Sequence, residues 1–137
     1  MPKRKYKKKT PRQKIIDKLD EIVSKIIRLK EPVCVICSSN KNNGAGHVFS
    51  RGSFSTRWDI TEDGNVHNQC WGCNFRHVRD QYPYFNWYVK KFGQEKFDAL
   101  RVRSKTTVKY KTFELEELYR KLYKIYEKLY ATRHSRD

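Results

Sequence analysis

The sequence predicts a small α+β protein in which a cysteine-stapled core is flanked by an N-terminal and a C-terminal helix. Near both ends of the chain, apolar residues recur at three- and four-residue spacing, as they do on one face of a helix. Between these segments lie short apolar pieces, turn-forming residues and four cysteines. Of the 137 residues, 37% are hydrophobic, which is enough for one modest core.

The first nine residues are the most basic segment of the chain. Together Lys and Arg number 31 against 15 Asp and Glu, a formal net charge of +16 that predicts a polyanionic partner, DNA foremost. We predict that residues 1–9 are a flexible DNA-grasping arm, with a solubilising tail as the alternative. Its basic residues are Lys3, Arg4, Lys5, Lys7, Lys8 and Lys9. No segment has the long apolar face or lipidation motif of a membrane anchor, so no membrane partner is expected.

An N-terminal helix is predicted over residues 10–31. Thr10, with Gln13 three residues later, forms a capping box, and Pro11 stands at the first helical position. The Glu31-Pro32 pair ends the helix, because the residue before proline avoids helical backbone. Its apolar face consists of Ile15, Ile16, Leu19, Ile22, Val23, Ile26, Ile27 and Leu29.

The four cysteines form two Cys-x-x-Cys pairs, Cys34 with Cys37 and Cys70 with Cys73. Two residues between thiolates let one tight turn place both sulfurs on a tetrahedral ion, with Zn–S near ~2.3 Å. The alternative is a pair of disulfides, but the chain shows no signal peptide or long apolar run, so we expect a reducing, cytoplasmic setting. Four thiolates leave no open coordination position, so the predicted Zn²⁺ is structural.

The core is predicted to span residues 32–100. Small strands and loops are expected up to residue 74, and aromatics over 75–92 predict a helix terminated by Gly93, with a short helix near residues 95–100. Residues 101–111 contain no acid and read as a basic linker or DNA-facing strand. The amphipathic C-terminal helix, 112–137, is expected either to pack on the first helix or to pair with a second chain, giving a homodimer.

Residues 33–100 resemble the NinG/Rap recombination endonucleases of bacteriophages, within the wider HNH (ββα-metal) nucleases built on a treble clef. The resemblance rests on the segments CVIC, AGHVFSRG, STRWD, NVHNQCWGCN and KKFGQEKFDAL, which occur in consistent order. It implies a treble-clef core that the zinc ion supports.

The resemblance also implies three catalytic residues. His47 matches the general base, a role suited to imidazole because its pKa near ~6.5 leaves the neutral form available at cellular pH. Asn65, five positions before Cys70, matches the residue that orients this histidine through its side chain. Asn74, directly after Cys73, matches the ligand of a catalytic Mg²⁺ or Mn²⁺. Without the resemblance, Asn65 reads as turn chemistry and Asn74 as a helix cap.

Many HNH enzymes carry a metal ligand immediately before the base, where this chain has Gly46. Asp59 and His67 are therefore candidates for completing the cation site. Arg51 and Arg57 are candidates for binding the scissile phosphate, because a guanidinium can clamp a phosphate by two hydrogen bonds. The alternative for these arginines is an internal pair with an acid such as Asp59 or Glu62. Arg76 and Arg79 are further candidates for DNA binding.

These features favour a metal-dependent DNA endonuclease. The resemblance implies branched substrates, namely Holliday junctions and displacement loops of phage recombination, and a location in the host bacterial cytoplasm. The first alternative is a non-catalytic zinc-dependent module that binds nucleic acid through the same basic surface. The second is an assembly protein that pairs through its tyrosine-rich terminal helix.

Overall fold

The computed structural model describes residues 6–134. This part of the chain forms five helices and one two-stranded antiparallel sheet, which agrees with the predicted small α+β class. In chain order the elements are α1 (Pro11–Lys30), β1 (Asn43–His47), β2 (Val66–Cys70), α2 (Trp71–Arg79), α3 (Tyr82–Phe92), α4 (Gln94–Lys105) and α5 (Thr112–His134).

Helix α1 begins with the predicted capping box. The Thr10 hydroxyl accepts a hydrogen bond from the Gln13 amide, and the Gln13 side chain accepts one from the Thr10 amide at 2.9 Å. At the other end, Glu31 has extended backbone and its N–H donates to Ile27, so the helix stops before Pro32 as predicted. The cap satisfies amide groups that the first turn leaves without helical partners.

The sheet is a hairpin in which β1 and β2 pair antiparallel. Asn43 lies opposite Cys70 at one end, and His47 lies opposite Val66 at the other. The connection 48–65 returns the chain from the end of β1 to the start of β2. Helix α2 starts directly after β2, with the Cys70 sulfur accepting a hydrogen bond from the Cys73 amide. The order strand, strand, helix therefore occupies one continuous stretch of sequence.

Two helices replace the single helical stretch expected over residues 75–92. Helix α2 starts earlier than expected and ends at Arg79, and α3 starts at Tyr82 with Pro83 in its first turn. Proline lacks an amide hydrogen and is accommodated only at the start of a helix, so the break falls just before it. Gly93 terminates α3 as predicted, with a φ of 97° that favours glycine.

The predicted linker 101–111 is only partly a linker. Helix α4 continues to Lys105, so the first half of this segment is helical and the remainder is neither helix nor strand. Arg101 and Arg103 thus lie on α4, and Arg103 pairs with Asp59 at 3.3 Å. A basic composition did not prevent the helix, because Lys and Arg are themselves good helix formers.

Two apolar clusters hold the fold together. The larger joins α1 and α5 with residues of the hairpin region, and its most buried members include Leu19, Ile26, Val66 and Leu115. The smaller packs α3 and α4 around Val48. Helix α5 therefore packs on α1, which was one of its two predicted roles. None of the helices within residues 6–134 is long and apolar enough to cross a membrane.

Candidate metal centre and active site

The four cysteines converge from two separate turns. Cys34 and Cys37 precede β1, Cys70 ends β2, and Cys73 lies in the first turn of α2. Their sulfurs all lie within 4.8 Å of one another, and the Cys37 and Cys70 sulfurs are 3.6 Å apart without a disulfide bond. A tetrahedral ion with Zn–S near ~2.3 Å needs sulfurs roughly 3.8 Å apart. The four cysteines are therefore placed to hold a structural metal ion such as zinc.

Electrostatics at this cluster also favours a cation. The backbone N–H of Cys73 lowers the pKa of the Cys70 thiol to about 7. Burial and the neighbouring thiols raise the pKa of Cys73 instead. Four thiolates at this spacing repel one another unless a cation lies among them. Within residues 6–134 this is the one group of three or more His, Cys, Asp or Glu side chains close enough to hold a metal.

His47, at the end of β1, has its ring held in one orientation. Its Nε2 lies 2.8 Å from the carbonyl oxygen of Arg57. Because a carbonyl can only accept, Nε2 carries the hydrogen and Nδ1 holds a lone pair in the neutral ring. In the described chain, Nδ1 has no hydrogen-bond partner. Burial lowers the pKa of His47 below its ordinary value, so the neutral form prevails at pH 7.

The Arg57 carbonyl is positioned by an ion pair that the sequence analysis missed. The Arg57 guanidinium donates two hydrogen bonds to the carboxylate of Asp20 on α1, at 2.9 and 2.6 Å. Trp58 Nε1 donates to the same carboxylate at 2.8 Å. Arg57 was predicted to bind the scissile phosphate, with an internal ion pair as the alternative; the structure has the internal pair, formed with Asp20 and not with Asp59 or Glu62. Arg57 is occupied in holding the loop on α1 and is not free to clamp a phosphate.

Asp20 is ionised in this arrangement. Burial opposes its charge, but the hydrogen bonds from Arg57 and Trp58 outweigh burial and keep the pKa of Asp20 below its ordinary value. In the sequence, Asp20 stands between the buried residues Leu19 and Ile22 of α1. This position at the edge of the apolar face of α1 could have indicated from the sequence that Asp20 forms a partly buried ion pair.

Asn65 acts on the loop and makes no hydrogen bond with the His47 ring. Its Oδ1 accepts from the Phe49 amide at 2.8 Å, and its Nδ2 donates to the carbonyls of Phe49 at 2.9 Å and Thr56 at 3.2 Å. The side chain is fully buried. It ties together the two ends of the loop that carries Arg57, the residue to which His47 binds. Its influence on the histidine therefore passes through the backbone.

A cleft of about 530 Å³ lies beside the histidine, and we call it the His47 cleft. Its lining residues are Ala45, His47, Ser50, Arg51, Asn74, His77, Val78 and Gln81. The side chains of Asn74 and Arg51 make no hydrogen bond or ion pair in the part of the chain that the structure describes, so both side chains are available to a ligand. Three of the predicted site residues therefore meet here: His47, Asn74 and Arg51.

His77 and Gln81 also line the cleft, although neither was among the predicted site residues. His77 Nε2 donates to the Val48 carbonyl at 2.8 Å, which fastens α2 to the residue following β1. Its Nδ1 is buried and has no partner among the described residues. The three-residue spacing from Asn74 to His77 places both on one side of α2, and this spacing was the available signal.

The two remaining cation candidates do not line the His47 cleft. Asp59 accepts hydrogen bonds from Thr61 and pairs with Arg103. His67 is buried, with Nδ1 3.2 Å from the Glu31 carboxylate and Nε2 2.9 Å from the Gly64 carbonyl. Both side chains have structural partners, so neither is placed to complete a cation shell with Asn74.

Gly46 lies against the side chain of Gln69. A Cβ atom built on Gly46 would lie 2.1 Å from Gln69 Oε1 and 2.6 Å from its Cδ and Cγ atoms. The Gln69 side chain thus fills the space in which a side chain at position 46 would stand. A metal-binding side chain at position 46 would therefore require the Gln69 side chain to move.

The remaining DNA-binding candidates lie at the surface. Arg76 and Arg79 are exposed on α2, Arg76 lies 3.7 Å from the Asp80 carboxylate, and the Arg79 guanidinium lies over the Phe75 ring. In the arm, Lys7, Lys8 and Lys9 are exposed, and Lys9 pairs with Asp17 at 2.6 Å. Lys3, Arg4 and Lys5 lie outside the described residues.

Comparison with known proteins gives one family. The sequence model of the family described as "NinG: Bacteriophage Lambda NinG protein" matches residues 1–131. No curated protein and no solved structure matches the chain.

Proposed function

The chain belongs to the bacteriophage lambda NinG family, and from this we propose that it is a metal-dependent DNA endonuclease of the HNH type, active on branched recombination intermediates. One observation carries the proposal: His47 keeps Nδ1 unprotonated beside a cleft that also holds Asn74 and the free guanidinium of Arg51. Phosphodiester hydrolysis requires a positioned base next to a positively charged group that binds the phosphate, here the Arg51 guanidinium.

In the proposed reaction, His47 Nδ1 takes a proton from a water molecule as the water oxygen attacks phosphorus. The P–O3′ bond breaks, and the leaving oxygen takes up a proton from solvent. Arg51 binds the non-bridging phosphate oxygens, whose negative charge increases during the attack. In the imidazolium that forms, both ring nitrogens carry a hydrogen, and Nε2 continues to donate to the Arg57 carbonyl.

Mg²⁺ or Mn²⁺ is the proposed catalytic cation, and Asn74 is its proposed protein ligand. Amide and phosphate oxygens suit these hard cations, which commonly keep substrate phosphates in their shell. When bound, the cation would supply charge neutralisation at the leaving oxygen. Asn74 presents its amide at the cleft, one residue after the metal-binding Cys73.

We propose zinc as the ion of the cysteine cluster, in a structural role. The cluster joins the turn before β1 to the junction of β2 and α2. It thereby sets the position of Asn74 relative to β1, which carries His47. The consecutive order β1, β2, α2 agrees with the ββα-metal core that the nuclease resemblance implies.

DNA is the proposed substrate because of charge. The formal net charge of +16 gives sequence-independent attraction to phosphates, which supplies affinity but no preference for a structure. The proposed preference for branched DNA follows from the phage recombination family. The location proposed with it is the cytoplasm of the bacterial host.

The test is cleavage of a labelled four-way junction and a matched linear duplex in Mg²⁺ or Mn²⁺. We expect junction cutting by the wild type and a loss of about 10²-fold or more in His47→Ala. His134→Ala is the matched control, because this histidine is exposed on α5. Zinc content and melting must be unchanged in both variants. Equal cutting by wild type and His47→Ala would refute the assigned base.

A non-catalytic zinc-dependent DNA-binding protein is the second candidate. The residues that line the His47 cleft include no carboxylate, and Mg²⁺ sites in proteins ordinarily use one or two. This candidate predicts junction binding without cutting in every metal tested. It also predicts that His47→Ala binds the junction as tightly as the wild type does.

A further inference from the structure

Helix α2 presents apolar side chains to solvent beside the His47 cleft. Trp71 is 68% exposed, Phe75 52% and Val78 83%, and no residue of this helix is buried. Large apolar side chains adjoining one another at the surface mark a binding site more often than isolated ones do. We call these three residues the α2 stripe.

The three side chains form one continuous surface. Their spacing of four and then three residues places them on one side of the helix. The Trp71 and Phe75 rings are nearly parallel, at an interplanar angle of 12° and a centroid separation of 5.3 Å. The Arg79 guanidinium lies 5.5 Å from the Phe75 centroid. The stripe is therefore a stacked aromatic surface bordered by positive charge.

The stripe also adjoins the cleft. At 3.6 residues per turn, Asn74 lies about 40° around the helix axis from Val78. Arg79 lies in the other direction around the axis from Val78, so Val78 stands between the two. Val78 lines the His47 cleft together with Asn74, so the two surfaces are continuous. A ligand with a phosphate in the cleft would place its adjacent groups over the stripe.

We propose that the α2 stripe binds unstacked nucleobases of single-stranded DNA next to the scissile phosphate. This inference rests on the proposed nuclease function and defines its substrate class. Aromatic faces stack on any base, and neighbouring arginines bind the backbone phosphates. In an intact duplex the base faces are covered by their neighbours, so only unpaired or splayed nucleotides can use the stripe. The stripe thus selects DNA with unpaired bases, such as a branch point.

The composition of the helix favours DNA over a second protein as the occupant. Helix α2 carries Arg76 and Arg79 and no acidic residue. The whole chain has a formal charge of +16, so two copies would repel each other unless acids lay opposite these arginines. A polyanion with flat apolar rings matches both the charge and the aromatic faces.

The experiment compares two single strands of equal length and charge, an oligodeoxythymidine and an oligomer of abasic sites. Dissociation constants are measured without divalent cation, so the result does not depend on cleavage. We expect the double variant Trp71→Ala/Phe75→Ala to bind the thymidine strand about tenfold more weakly, or worse, and the abasic strand as the wild type does. Trp71→Phe should retain most of the affinity, because a phenyl ring also stacks.

Phe113→Ala is the matched control, since Phe113 is similarly exposed, at 61%, on α5. Melting temperature and zinc content must match in all variants. We expect them to match, because the Trp71 and Phe75 side chains are exposed and their removal leaves no cavity in the core. Equal weakening of the double variant on both strands would overturn the inference, because the loss would then not involve bases. A wild-type dimer that the double variant converts to monomer would overturn it as well. An inactive protein that still shows the base-dependent difference would refute the nuclease and leave the stripe intact.

Discussion

The α1–α5 pair and the segment 33–79, which we call the cysteine segment, are held together by different forces. The helix pair buries a continuous apolar face that includes Leu19, Ile26 and Leu115. The cysteine segment contributes Val48, Trp58, Ile60 and Val66 to the apolar clusters but also buries several polar side chains. Its buried polar residues are Thr56, Asn65, His67, Asn68 and Gln69.

This difference explains why the candidate site lies in the cysteine segment. Apolar packing has no direction and leaves loop backbone free to shift, whereas hydrogen bonds and metal ligands set both distance and angle. The His47 ring follows a chain of such contacts, from the Asp20 carboxylate to the Arg57 side chain and from the Arg57 carbonyl to Nε2. The helix pair provides the rigid support on which this chain of contacts begins.

Removing the proposed zinc ion should have the largest effect, and the effect should be confined to the cysteine segment. Cys37→Ser, or treatment with a strong chelator, should abolish its folding, because metal binding contributes on the order of 10 kcal/mol in structural zinc sites. Thermal melting followed by near-UV circular dichroism would measure this loss, and added zinc should restore the chelated wild type. An unchanged melting curve after verified metal removal would show that the segment folds without metal.

Leu115→Ala should destabilise the helix pair without disturbing the metal. Leu115 is fully buried, so the variant should lose about 2–5 kcal/mol through lost burial and a cavity. Chemical denaturation measures the loss, and the zinc content of the folded protein should stay at one per chain. Val102→Ala, at an exposed aliphatic position, is the control and should change stability by less than about 0.5 kcal/mol. Loss of zinc from folded Leu115→Ala would break the distinction between the two regions.

Asn65→Ala should cost about 1–3 kcal/mol, because it removes the side-chain partner of the Phe49 amide and carbonyl and one of the two donors to the Thr56 carbonyl. The loop that carries Arg57 should become mobile. Hydrogen exchange at Phe49 and neighbouring amides should therefore speed up more than exchange in α1. If exchange increases equally in both places, Asn65 stabilises the whole fold and not this loop.

Asp20→Asn should cost about 1–2 kcal/mol at pH 7 through loss of its charged hydrogen bonds. The folded-state pKa of Asp20 is lowered, so its contribution is present above the unfolded pKa near ~3.9 and is lost as pH falls through the folded value. The stability difference between wild type and variant should thus shrink at low pH. Asp17→Asn, which removes only an exposed pair with Lys9, is the control and should be nearly neutral. A difference that does not depend on pH would contradict the ion pair.

Arg51→Ala should have the smallest effect on stability, within about 0.5 kcal/mol, because its side chain is exposed and unpaired in the described structure. Burial is the main cause of the lowered pKa of His47, and the positive charge of Arg51 lowers this pKa further. Cleavage by the wild type should therefore persist below pH 6.5, since a base works only when neutral, and its acidic limb should move to higher pH in Arg51→Ala. Arg120→Ala, an exposed change on α5, is the control. An acidic limb at the same pH in both variants would contradict this coupling.

Much of the fold could be predicted because its signals are local. The Thr10 and Gln13 cap, the stop at Glu31 and the termination at Gly93 all depend on interactions within about one helical turn. The break before Pro83 was also a local signal, although the aromatic residues around it obscured it. The linker was predicted to begin at residue 101 because the segment is basic, but α4 continues through these basic residues to Lys105. Charge composition alone therefore did not predict where the helix ends.

The sequence by itself determined the first and last helices, the cysteine spacing, the excess of positive charge and the identity of His47, Asn74 and Arg51 as candidates. Only the tertiary structure decided that Arg57 binds Asp20, that Asp59 and His67 lie outside the cleft, and that Trp71 and Phe75 face solvent. The physical reason is range. Caps, turns and metal-binding knuckles are set by neighbours in the chain, whereas a pair such as Asp20 and Arg57 forms only after packing brings distant segments together.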